Sequence, residues 1–136
     1  MQIVCKAGKA TPAQKEIMGL PYSNSDFDIT EGVTYLVFGM TIDMRENKNS
    51  VCFIQILSNG GHLITAPLFL FDITDNRVSR YWELKISSEG FLTLWPPSFY
   101  REYYHDDLFE EVDEVVKDFN LVRKSMEDEY RSSNVV

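Results

Sequence analysis

The chain has 136 residues, 44% of them hydrophobic and 13% aromatic, with a formal net charge of −8 at pH 7. That length suits one domain that buries roughly two-thirds of its unfolded surface, so a core can form without disulfides or structural metals. Two cysteines exclude a disulfide framework, no apolar stretch approaches the roughly 20 residues of a membrane span, and the acidic balance repels nucleic-acid phosphates and anionic lipids.

Gln2 to Lys6 reads as a short strand. Thr11 is placed to cap a helix that opens on Pro12 and that Gly19 and Pro21 would stop, with a polar loop from Tyr22 to Asp28. Val33 to Ile42 is rich in β-branched and aromatic residues and predicts a strand, with a bulge or sharp bend at Gly39. After a turn at Arg45–Ser50 comes a strand over Val51–Leu57, in which Cys52 is expected as a buried thiol. The turn Ser58-Asn59-Gly60-Gly61 leads into a strand from His62 to Thr65. Pro67 suits an edge, so Leu68–Phe71 is expected there, followed by a turn over Asp72–Asn76. In the next segment Val78, Arg80, Trp82, Leu84 and Ile86 alternate with Ser79, Tyr81, Glu83 and Lys85, the pattern of a half-buried strand. Ser88-Glu89-Gly90 turns the chain into a last strand, Phe91–Trp95, which Pro96-Pro97 ends.

Leu108, Val112, Val115, Phe119, Val122, Met126 and Tyr130 step by 4, 3, 4, 3, 4 and 4 residues. This stripe predicts one helix from about Asp106 to about Arg131, capped by Asp106 and Asp107. Together the elements predict an α+β fold: a strongly bent antiparallel sheet or small β-barrel of five to six strands, with a long C-terminal helix packed on it. The expected layout over 1–136 is a single domain, irregular to 29, β-rich from 30 to 95 and helical from 96 to 131.

The charge is local. Glu102 to Asp118 hold eight acids and one base, Lys117, whereas the first 101 residues hold ten acids and nine bases. An acidic helix face is ordinarily a solvated surface. Here nearly all the net charge falls in one segment beside Phe99, Tyr100, Tyr103 and Tyr104, which favours electrostatic docking on a basic protein. The candidate partner-binding residues are Tyr103, Tyr104, Asp106, Asp107, Glu110, Glu111, Asp113, Glu114 and Asp118. At least two of the four neighbouring aromatics are expected in the core.

Catalytic patterns are missing. His62 and His105 lie in no nucleophile–base arrangement, no histidine pair or cysteine cluster has metal-ligand spacing, and no glycine-rich loop could cradle a phosphate. The expectation is a binding protein and not an enzyme, with no cofactor and no metal. Two other readings stand beside it. One is a small-molecule-binding or regulatory β-barrel module without catalytic activity, its mouth near Trp82 and Trp95. The other is a weak enzyme using the acidic cluster with a divalent metal.

Four segments carry a resemblance: Gly32-Val33-Thr34-Tyr35-Leu36-Val37-Phe38-Gly39, Leu70-Phe71-Asp72-Ile73, Val78-Ser79-Arg80-Tyr81-Trp82 and Pro97-Ser98-Phe99-Tyr100. With its size and acidity, the chain resembles the immunity proteins of bacterial toxin–immunity pairs, including contact-dependent growth inhibition. The resemblance implies a cytoplasmic protein that binds a cognate toxin with a basic surface, often a nuclease, and neutralises it. It implies no direct nucleic-acid or membrane binding, and it leaves the oligomeric state open.

Overall fold

The structure, a computed structural model, describes residues 1–18, 27–46 and 50–134. The helix stop at Gly19 and Pro21, most of the loop after it, the centre of the turn at Arg45–Ser50 and the last two residues lie outside that set. The elements in chain order are β1 (Gln2–Cys5), α1 (Pro12–Met18), β2 (Thr34–Leu36), β3 (Gly39–Asp43), β4 (Cys52–Leu57), β5 (Leu63–Pro67), β6 (Phe71–Asp75), β7 (Glu83–Ile86), β8 (Phe91–Trp95), α2 (Tyr104–Phe109) and α3 (Asp113–Asn134). Short 3-10 turns occupy Leu68–Leu70 and Pro97–Tyr100. No helix among the described residues is long and apolar enough to cross a membrane.

The fold is α+β, as the sequence predicts. Its strands form two antiparallel sheets rather than one: a three-stranded sheet ordered β2-β1-β6 and a five-stranded sheet ordered β5-β4-β3-β8-β7, neither closed into a barrel. The division falls inside the expected Val33–Ile42 strand. The Val37 N–H donates to Met1 O (3.1 Å) in the first sheet, and the next N–H, of Phe38, donates to Gln55 O (2.8 Å) in the second. Adjacent residues therefore enter different cores, Val37 that between the sheets and Phe38 that under the helices. Gly39 follows because a Cβ there would come within 2.9 Å of Trp95 Cδ1. The bend expected at this glycine is the crossover between sheets.

On one side of the five-stranded sheet, Ile54, Ile56 and Ala66 pack with Ile3, Val37 and Leu70. On the other, Phe38, Phe99, Tyr104, Val115, Phe119 and Met126 form a second core with Trp95, Leu57 and Leu63. Pro67 ends β5, an edge strand, which agrees with its missing donor.

Five local expectations change. Leu68–Leu70 is a 3-10 turn, and the residues read as a turn over Asp72–Asn76 mostly belong to β6, because pairing with β1 outweighs the turn preference of Asp and Thr-Asp. Only Glu83–Ile86 of the alternating segment is a strand, and every residue in it is exposed. Cys52 is half-buried and Cys5 is the fully buried thiol; both are free, and burial pushes both above the ordinary thiol range. The C-terminal helix is two helices, broken at Glu110–Val112.

Candidate docking surface

A chain of aromatic rings holds the acidic segment against the sheet. Phe99, from the 3-10 turn after β8, lies 5.2 Å from the rings of Tyr104 and His105 and 6.3 Å from Phe119. His105 packs 5.2 Å from Trp95, and its Nε2 meets Gln55 Oε1 on β4 at 3.1 Å. Burial pushes His105 below the ordinary imidazole range, against a smaller upward effect of Asp106. Trp95 Nε1 donates to Thr41 Oγ1 at 3.2 Å. The Tyr104 hydroxyl donates to Asp118 Oδ2 (2.8 Å), and Ser98 Oγ donates to Asp118 Oδ1 (3.3 Å). One carboxylate thus ties together the 3-10 turn, α2 and α3. Burial first, and the hydrogen bond to Asp118 second, raise the Tyr104 hydroxyl far above the ordinary phenol range.

Two left-handed residues shape the corner. Tyr103 (φ 60°) precedes α2, and Glu111 (φ 57°) follows it. At that end the Val112 N–H donates to Asp107 O (2.9 Å) and the Glu111 N–H to Leu108 O (3.1 Å). This is the Schellman arrangement, with Glu111 in the position that glycine usually takes. The motif satisfies the last carbonyls of α2 and turns the chain into α3, so Asp113 and Glu114 complement the helix dipole of α3 rather than continue α2. The apolar stripe survives the break except at Val112, which is 39% exposed.

The structure divides the predicted site residues. Tyr104 is 1% exposed and belongs to the core, bonded to the half-buried Asp118; neither presents its side chain as an open docking group. Asp107 is half-buried. Asp106, Glu110, Glu111, Asp113 and Glu114 are exposed together with Tyr103, at 65%. Glu102 is exposed as well. Among the described residues none of these six carboxylates takes part in an ion pair, whereas acids elsewhere do: Asp72 with Lys6, Asp75 with Arg77, Glu129 with Arg80, Glu127 with Arg123. Of the four aromatics near the segment, Phe99 and Tyr104 are buried, in line with the expectation of at least two.

Phe109 was not among the predicted residues, yet it is 73% exposed at the end of α2, its ring 6.2 Å from that of His62. Its signal was available: it is apolar but falls one residue off the helical stripe. Beside it a cleft of about 260 Å³ opens between α2, α3 and the β4–β5 turn, lined among others by Gly60, His62, Leu108, Glu111 and Arg123. The corner therefore combines open carboxylates, two exposed aromatic rings and a shallow cleft on a backbone fixed at both ends of α2.

The region near the tryptophans is built differently. Trp82 Nε1 donates to Phe38 O (2.9 Å), and both tryptophans pack on the second core. The cleft that Trp95 lines, about 370 Å³, is bounded by Thr41, Lys85, Phe91 and Tyr100 and does not include Trp82. Among the described residues no three His, Cys, Asp or Glu side chains are grouped to hold a metal ion. Comparison with protein-family models, with curated proteins and with solved structures finds no match to this chain.

Proposed function

We propose that the chain is an immunity protein, a stoichiometric inhibitor that docks its acidic corner on the basic surface of a cognate toxin in the cytoplasm. The observation that carries this reading is the set Asp106, Glu110, Glu111, Asp113 and Glu114, exposed around Tyr103 and Phe109 with no ion pair among the described residues. Like charges crowded on one short segment repel one another, and a cationic partner relieves that repulsion. Such a field also speeds encounter by orders of magnitude at low salt. The two aromatic rings supply the rigid apolar area that charged surfaces lack, which is the composition of interface hot spots. A nuclease is the toxin class best suited to this corner, because its substrate surface is built to receive a polyanion.

The test is a pull-down from the source cells with the tagged chain at low salt, run beside a variant carrying Glu110→Lys, Glu111→Lys and Glu114→Lys. One basic protein should be retained in equimolar amount by the native chain. Its affinity should fall steeply with salt and by well over tenfold in the triple variant. Glu46→Lys with Glu89→Lys, both exposed in the β3–β4 and β7–β8 turns at the other end of the five-stranded sheet, serves as the control. Affinity unchanged by the triple reversal would reject the reading.

A further inference from the structure

β7 is an edge strand whose open side has no partner among the described residues. Other edges are blunted: β5 carries Pro67, β2 is three residues long, and the register of β6 is broken by a shift that leaves Thr74 unpaired. β7 pairs with β8 in a continuous register, Glu83 with Trp95 through Ile86 with Leu92, with no proline and no bulge. The hairpin fixes which backbone groups are free. Gly90 (φ 95°) closes the turn, and the Ser87 N–H donates to Phe91 O at 2.8 Å. In an antiparallel ladder the bonded residues alternate, so Lys85 and Glu83 also face β8, while Leu84 and Ile86 turn their N–H and C=O groups to the open edge. Consistent with this, the Glu83 carbonyl accepts from the Tyr100 hydroxyl at 2.8 Å. The side chains of Leu84 and Ile86 are 59% and 63% exposed, and they continue the apolar face of Leu94, Met40 and Ile54 that the three-stranded sheet covers only at its far end.

We infer that β7 pairs with β7 of a second copy of this chain, antiparallel about a two-fold axis at Leu84, joining two five-stranded sheets into one. The strand's own charges select this occupant and this register. Residues opposed across such a pair share a face, so with Leu84 opposite Leu84 of the second copy, Glu83 lies opposite Lys85 and Lys85 opposite Glu83. The four residues Glu-Leu-Lys-Ile supply two opposite-charge pairs flanking an apolar one. Moving the axis one residue either way sets Lys85 against Lys85 or Glu83 against Glu83, which like-charge repulsion disfavours. Leu84 exchanges two backbone hydrogen bonds with its counterpart. A four-residue strand pair covers less than the roughly 1,200 Å² of a stable complex, so the dimer is weak.

The experiment is sedimentation of the full chain from about 1 µM to about 1 mM at physiological salt, where a dimer of twice 15.8 kDa should appear. Glu83→Lys alone and Lys85→Glu alone should each weaken it by about tenfold or more, and the double exchange should restore it. Both positions are exposed, and circular dichroism checks that each variant is folded. In a second measurement, Leu84→Cys should crosslink under mild oxidation through thiols on the two-fold axis, whereas Lys85→Cys, which faces Glu83 of the second copy, should not. A monomer throughout, or a dimer indifferent to both single exchanges, would overturn the inference. So would a dimer that Lys85→Cys crosslinks and Leu84→Cys does not.

Discussion

The two cores of this protein hold their surroundings in different ways. The core between the sheets is largely aliphatic (Ile3, Val37, Ile54, Ile56, Leu70), with Tyr35 as its polar contributor, bonded to the Thr30 N–H and to Asn59. It contributes burial, which is large and non-directional. The core under the helices is aromatic, and polar tips recur in it: Tyr104 to Asp118, His105 to Gln55, Trp95 to Thr41, Trp82 to the Phe38 carbonyl. Directional bonds from buried rings fix orientation as well as stability. The acidic corner rests on this second core, so its carboxylates are presented from a rigid platform although they lie at two helix ends.

The largest test of that contrast pairs Ile54→Ala with Phe99→Ala. Each should destabilise the chain, by about 2–5 and about 3–5 kcal/mol respectively in urea unfolding. Phe99→Ala should also weaken docking of the basic partner, measured calorimetrically where both variants are folded, while Ile54→Ala should not. Equal losses of affinity would erase the distinction between the cores. Tyr104→Phe keeps the ring and removes the bond to Asp118, leaving that carboxylate with Ser98; a cost of about 1–3 kcal/mol is expected. A neutral result would mean that packing alone sets α2 on α3.

The half-buried His105 gives the second core a pH dependence on the acid side of neutrality. Its folded pKa lies below the unfolded value, so the unfolded chain binds more protons as the solution turns acidic. The stability due to neutral His105 is complete above the ordinary imidazole range. It should be lost progressively as pH falls from about 7 toward about 5. Unfolding in urea across that window should show a slope that His105→Gln flattens; the same slope in both proteins would exclude His105 as its source. The smallest effect belongs to Glu111, whose left-handed backbone opposes an L side chain. Glu111→Gly should stabilise by about 0.5–1 kcal/mol, seen as a rise of a few degrees in Tm, and a fall would show that this side chain holds the corner by other contacts.

Much of the fold is written in short-range pattern. The stripe from Leu108 to Tyr130 marks the buried side of both C-terminal helices, Gly39 marks the bend, and Pro67 marks an edge. These signals are legible because each depends on the chemistry of one residue or on a local period. The break at Glu111 is not legible in the same way. Side-chain period continues through it, and the residue in the left-handed position is neither glycine nor asparagine. The Val78–Ile86 alternation shows that one face is apolar, but not whether another layer covers it, and here Leu84 and Ile86 are left open.

The same division holds for the candidate site. That the negative charge is concentrated between Glu102 and Asp118 is legible in the sequence, because charge is a property of composition along the chain. Tertiary structure alone decided which of those acids are available. Asp118 is drawn inward by Tyr104, fourteen positions away, while Asp106, Glu110, Glu111, Asp113 and Glu114 remain outside with Phe109 beside them. The physical reason is that ionic character is local, whereas exposure and pairing depend on contacts between segments distant in sequence.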